Sequence, residues 1–94
     1  MEAMQKNQKV INFDRRKSSP IPLSVYVKET VDHYFIQLNG HDTYGLHAMV
    51  ISEVEKPLIE AALAYCGQNQ TKASKILGLS RSTLRKKIDL YDLS

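Results

Sequence analysis

Ninety-four residues, 43% hydrophobic and 24% charged, make one small domain with limited core per residue. No run approaches the roughly 18 apolar residues of a membrane span, and the start, MEAMQKNQKV, has no apolar stretch to serve as a signal peptide. Cys66 is the single cysteine, so an internal disulfide is excluded and a reducing cytoplasm fits. The net charge of +3 is sorted along the chain. Residues 1–17 hold five Lys/Arg against two acids, residues 18–66 two against six, and residues 67–94 six against two. A basic C-terminal module on an acidic body suits a polyanionic partner addressed by one end. A membrane surface is disfavoured, because the apolar face of the basic helix is needed for packing.

Residues 1–21 show no sustained period. VINF at 10–13 allows a short strand, but RRKSSP follows and Pro20 and Pro22 break it, so a flexible arm is expected. From 23 to 38, Leu23, Val27, Val31, Tyr34 and Leu38 recur at spacings of four and three, which predicts a helix. Pro22 suits its first turn, and Asn39-Gly40 is a stop signal. NGHDTYG at 39–45 is a loop.

A longer helix is predicted from Leu46 to Cys66, with Leu46, Val50, Val54, Leu58, Ala62 and Tyr65 as its stripe. Met49, Ile51, Ile59, Ala61 and Leu63 widen it. Pro57 removes a backbone donor, but the stripe stays in phase across it, so one kinked helix is expected. Such a wide apolar surface exceeds what a single helix of about 16 residues can cover. A homodimer follows, in which 23–38 and 46–66 of two chains intertwine as a four-helix core. Val31, Tyr34, Leu38, Val50, Val54, Leu58 and Ala62 are its expected interface. A compact monomeric bundle is the alternative.

NQTKASKILGLSRSTLRKKI at 69–88 reads as two short helices joined by a tight turn. Asn69 caps a helix over 70–77, where Ala73 allows a close crossing and Ile76 and Leu77 face inward. Gly78 supplies the positive φ of the turn, Leu79 plugs it, and Ser80 caps a helix from Arg81 to Leu90. Leu84, Ile88 and Tyr91 point inward at i, i+4, i+7, which leaves Arg81, Arg85, Lys86 and Lys87 outside with Ser82 and Thr83. This is the form of a helix-turn-helix, whose second helix lies in a DNA major groove. An αα-hairpin with a solvated basic face is the plainer alternative.

Other chemistry has little support. His33, His41, His47 and Cys66 match no zinc-ligand spacing, and surface or partly buried histidines are the better account. Glu53, Glu55 and Glu60 suit a solvated helix face. There is no phosphate loop or nucleophile triad, so an enzyme is not expected, nor a cofactor. Tyr26, Tyr34 and Phe35 have the spacing of packing residues rather than of a base-stacking platform.

YFIQLNG at 34–40, EVEKPL at 53–58 and the 69–88 motif together resemble the Fis family, the factors for inversion stimulation. The resemblance covers about residues 22–91 without a gap. It implies an all-α fold of four helices: two in an intertwined dimer core and two in a C-terminal helix-turn-helix. It also implies a homodimer that binds and bends double-stranded DNA, regulating transcription and organising the nucleoid in the bacterial cytoplasm. Segments 1–21, 22–67 and 68–94 become arm, dimerisation helices and DNA-binding unit. Enhancer-binding activators share only the last motif, after a large ATPase domain, and this chain opens on its own Met1. Arg81 is implied to read a guanine edge, with Ser80 where familiar members have Asn, and Lys86 to reach base or backbone. Asn69, Thr71, Thr83, Arg85 and Lys87 are implied phosphate contacts. Asp89 and Leu90 replace a Lys pair, so weaker wrapping of flanking DNA is expected. The arm lacks a two-strand pattern, which leaves contacts with DNA invertases or RNA polymerase open. A protein-interaction module whose basic helix binds an acidic protein is the rival, with an RNA binder behind it, since the A-form major groove excludes a helix.

Overall fold

The computed structural model describes residues 21–94. Among these the chain is all-α, with four helices: α1 Leu23–Leu38, α2 Leu46–Tyr65, α3 Gln70–Leu77 and α4 Arg81–Leu90. The expectations for the arm before residue 21, including the short strand at 10–13, lie outside the described residues. The chain divides into two compact units, one ending at Thr43 and the other spanning Tyr44–Ser94.

In the first unit, α1 starts at Pro22, whose carbonyl accepts the backbone N–H of Val25 and of Tyr26. It ends at Asn39, in the left-handed region at φ 53°. The expected stripe is seen: Leu23, Val27, Val31, Tyr34 and Leu38 are half-covered, while the other α1 residues are exposed. Tyr34 and Thr43 share a 3.0 Å hydroxyl–hydroxyl hydrogen bond that ties the loop back to the helix. None of α1 is buried, and Val25, Phe35 and Ile36 stay exposed.

In the second unit, α2 passes through Pro57 as one continuous helix, as its in-phase stripe required. It ends at Tyr65 with Cys66 as its cap. Its buried residues are Ile59, Ala62 and Leu63, with Cys66 half-covered. The expected stripe through Leu58 and Tyr65 is therefore displaced by one residue in this half. Leu58 is 53% and Tyr65 84% exposed. The α3–α4 hairpin covers the face carrying Ile59 and Leu63, and a step of about 100° per residue leaves Leu58 outside it. The core of the unit is Ile59, Leu63, Ala73, Leu84 and Ile88, with Cys66, Leu77, Tyr91 and Leu93 packed against it. The expected segment boundary between 67 and 68 falls inside this unit.

Three helices end in the same way. In α2 the N–H of Gln68 reaches the carbonyl of Leu63, in α3 Leu79 reaches Ser74, and in α4 Leu93 reaches Ile88. Each bond closes over a left-handed residue, respectively Gly67, Gly78 and Asp92. Asp92 carries the arrangement without glycine, at φ 58°, and returns Leu93 to the core. Beyond Tyr91 the sequence carried no signal for this turn.

Candidate nucleic-acid interface

The hairpin forms because both of its helices are capped by their own sequence. Asn69 Oδ1 accepts the Lys72 N–H at 3.1 Å, and Ser80 Oγ accepts the Thr83 N–H at 3.1 Å. Between them Gly78 sits at φ 75°, and its N–H together with that of Leu79 satisfies the Lys75 and Ser74 carbonyls in the last turn of α3. Ala73 is fully buried, which permits the close crossing. Ser74 is buried beside it and satisfied, donating to the Thr71 carbonyl at 2.8 Å. Ile76, expected to face inward, is instead 58% exposed. Ala73, Ser74 and Leu77 already define the inner face, and the helical step carries Ile76 past its edge.

On α4, Leu84 and Ile88 are buried, and Tyr91 is half-covered beside them. Away from this seam, Ser82, Arg85 and Lys86 are exposed, and Arg81, three residues before Leu84, is exposed at the start of the helix. Asn69, Thr71, Lys72 and Lys75 of the α3 segment are exposed as well. None of these five exposed cations forms an ion pair among the described residues, and Asp89 is the acid within α4. The surface is therefore a band of unneutralised positive charge interleaved with hydroxyl and amide donors, on a helix whose other face is core. Lys72 and Lys75 add to the cations on which the sequence-based expectation rested.

Two charged residues also depart from expectation. Lys87, expected outside, is half-covered, and its Nζ lies 3.0 Å from Glu55 Oε1 of α2. The physical reason is position: Lys87 is i+3 from Leu84 and i+4 from Thr83, on the flank of the buried seam rather than opposite it. Glu55, expected on a solvated face, has a side chain only 20% exposed and also accepts the Tyr91 hydroxyl at 2.6 Å. Glu55 lies one turn before Ile59, and that spacing is the signal by which it was detectable. The Tyr91 hydroxyl, followed by the Lys87 ammonium, holds the Glu55 carboxyl below its ordinary range. The carboxylate in turn pushes the Tyr91 phenol up.

At the head of α4, Ser80 donates its hydroxyl hydrogen to Thr83 Oγ1 at 2.9 Å. Its lone pairs take the Thr83 N–H and, at 3.2 Å, the Ser82 hydroxyl. Ser80 is thus saturated within the protein. Thr83, accepting from Ser80, keeps its own hydroxyl hydrogen for another acceptor, and Asn69 keeps its amide NH2.

No helix among the described residues is long and apolar enough to cross a membrane. The dimer-interface candidates fall in three states. Val31, Tyr34, Leu38, Val50 and Val54 are half-covered, Leu58 is exposed, and Ala62 is covered within the chain.

Residues 50–91 match a helix-turn-helix family profile described as "Bacterial regulatory protein, Fis family". The chain is similar to DNA-binding protein Fis of Proteus mirabilis strain HI4320, with 42% identity over 73 residues, covering 78% of this chain and 74% of the relative. The same identity and coverage are found with the DNA-binding protein Fis of Escherichia coli O1:K1 / APEC and of Klebsiella pneumoniae subsp. pneumoniae.

Proposed function

The chain belongs to the Fis family of bacterial regulatory proteins, and on that premise we propose that it is a homodimeric protein that binds and bends double-stranded DNA. Its role is transcriptional regulation and nucleoid organisation in the cytoplasm. The observation that carries the proposal is α4: a capped helix with Leu84 and Ile88 buried, and with Arg81, Arg85 and Lys86 exposed and without an ion pair among the described residues. A helix with that division has one free face, and its cations and hydroxyls match the acceptor-rich groove and backbone of duplex DNA.

Within this proposal Arg81 reads a guanine edge from the first turn of α4, the end that helix-turn-helix proteins insert deepest. Lys86 reaches base or phosphate. Asn69, Thr71, Thr83 and Arg85 contact phosphate, and for Asn69 and Thr83 the hydrogens left over from capping support that role. Lys87 reaches phosphate only by exchanging one anion for another, because Glu55 holds it. Ser80 acts at a base only by giving up Ser82. With few side chains at base edges, much of the selection comes from DNA shape and deformability. Apolar side chains left uncovered on α2, among them Met49, Ile51, Leu58 and Tyr65, support the homodimer.

Binding to duplex DNA across a salt series tests the proposal. If each subunit neutralises about three or four phosphates, the log–log slope for the dimer is about −5 to −7. A slope shallower than about −2 removes the cations from the DNA backbone and favours the rival, an acidic protein as the partner of the basic helix.

A further inference from the structure

The seam that holds α4 to the rest of its unit is short. Its buried side chains are Leu84 and Ile88, one turn apart and so about 6 Å along the axis. Tyr91 and Leu93 pack against the core beyond them, but a ten-residue helix held by apolar contacts can still roll, because such contacts carry no directional preference. The Glu55 grip changes this. Lys87 and Tyr91 lie at i and i+4 on one face, and both donate to the same oxygen, Glu55 Oε1, at 3.0 and 2.6 Å. The shorter bond has the length of a charge-assisted O–H···O⁻ pair. The contact is directional and partly shielded from water, and it extends the seam to the end of the helix. Glu55 itself sits on the stripe of Ile59 and Leu63, so the grip continues the apolar seam rather than lying beside it.

We infer that Glu55 is a positioning residue for DNA reading: by holding Lys87 and Tyr91 it sets the roll of α4 on α2, and with it the direction in which Arg81 leaves the protein. This deepens the proposed function and rests on Arg81 reading a base. Arg81 lies six to ten residues from the gripped positions, about 9 to 15 Å along the helix, so a small rotation at one end displaces the other. Functional groups need placement within about 0.5 Å and 10–20° to keep directional bonds such as a guanidinium–guanine pair. Phosphate contacts, made by flexible point charges, tolerate more.

Three variants test the inference: Glu55→Gln, Tyr91→Phe, and the two combined. Their affinities are measured for two probes, the best duplex selected from a random pool and a random-sequence duplex, with thermal unfolding recorded in parallel. The expected result is that each single variant lowers the preference for the selected duplex by about fivefold or more, of the order of one lost bidentate base contact. The double variant should lose little more, because both substitutions release the same grip. An unchanged preference, with both duplexes weakened equally, overturns the inference and reduces Glu55 to a stabilising contact. Tighter binding of both duplexes also overturns it, since Glu55 would then only withhold Lys87 from phosphate. Where Glu55→Gln fails to fold, Tyr91→Phe decides alone. A wild-type protein that binds duplexes without preference refutes base reading itself, a failure distinct from retained preference in the variants.

Discussion

Leu58 and Ile59 are neighbours on α2 with opposite environments, so paired alanine substitutions separate the core of one chain from the contact between two. Ile59 is fully buried within its chain, and Ile59→Ala should cost about 2–5 kcal/mol through lost transfer energy and a residual cavity. Leu58 retains 53% of its surface in the isolated chain. Fully burying a leucine side chain is worth about 1.5–3 kcal/mol, so covering the remaining half in a dimer contributes about 0.8–1.5 kcal/mol. A two-fold interface uses the residue twice, which makes about 1.6–3 kcal/mol per dimer. Leu58→Ala forfeits most of this, raising the dimer dissociation constant about 15- to 150-fold. Sedimentation equilibrium over a dilution series reads the constant directly, and thermal unfolding at several concentrations reads the link between association and stability. Ile59→Ala should lower the unfolding midpoint at every concentration, and Leu58→Ala should shift it most where the wild-type protein is just dimeric. If Leu58→Ala leaves the dimer constant unchanged, this face is not the interface and the proposed four-helix core is wrong.

Two further outcomes are expected. Arg81→Ala should flatten the preference between a selected and a random duplex, whereas Arg85→Ala should weaken both and reduce the salt slope by about one unit per subunit; competition binding across a salt series checks the pair, and equal weakening by Arg81→Ala would make it a backbone contact. The Glu55 grip should give stability an acid limb. The carboxyl titrates below its ordinary value of 4.5 in the folded chain, so its contribution is complete above that value and is lost as pH falls through the lowered one. Unfolding midpoints of wild type and Glu55→Gln should therefore converge in acid below about 4.5, and a constant gap there would show that Glu55 charge plays no part.

Much of the helical layout was legible in the sequence because its causes are local. The α1 stripe, the caps at Asn69 and Ser80, and the left-handed stop at Gly78 each depend on residues within one or two turns, and each is seen where expected. The division of α4 into a seam and a cationic face was equally legible, because helical spacing sorts Leu84 and Ile88 from Arg85 and Lys86, and Arg81 is charged and sits at the start of the helix. The end of α4 was less so. The turn at Asp92 and Leu93 uses a left-handed residue that is not glycine, and no composition signal marks it.

Tertiary structure decided which side of each stripe is covered and where it stops. Periodicity shows that Leu58, Ile59, Ala62 and Leu63 belong to one broad apolar surface, but the position of the hairpin chooses Ile59 and Leu63 for the core and leaves Leu58 exposed. In the same way Ile76 falls outside an inner face already filled by Ala73, Ser74 and Leu77. Glu55 and Lys87 look like solvated charges when each helix is read alone. They become a half-covered pair, joined by Tyr91, because α2 and α4 approach each other along adjoining flanks. A pairing across 32 and 36 positions has no local cause, since it depends on which helix faces meet, and the approach of two helix faces is a property of packing rather than of spacing.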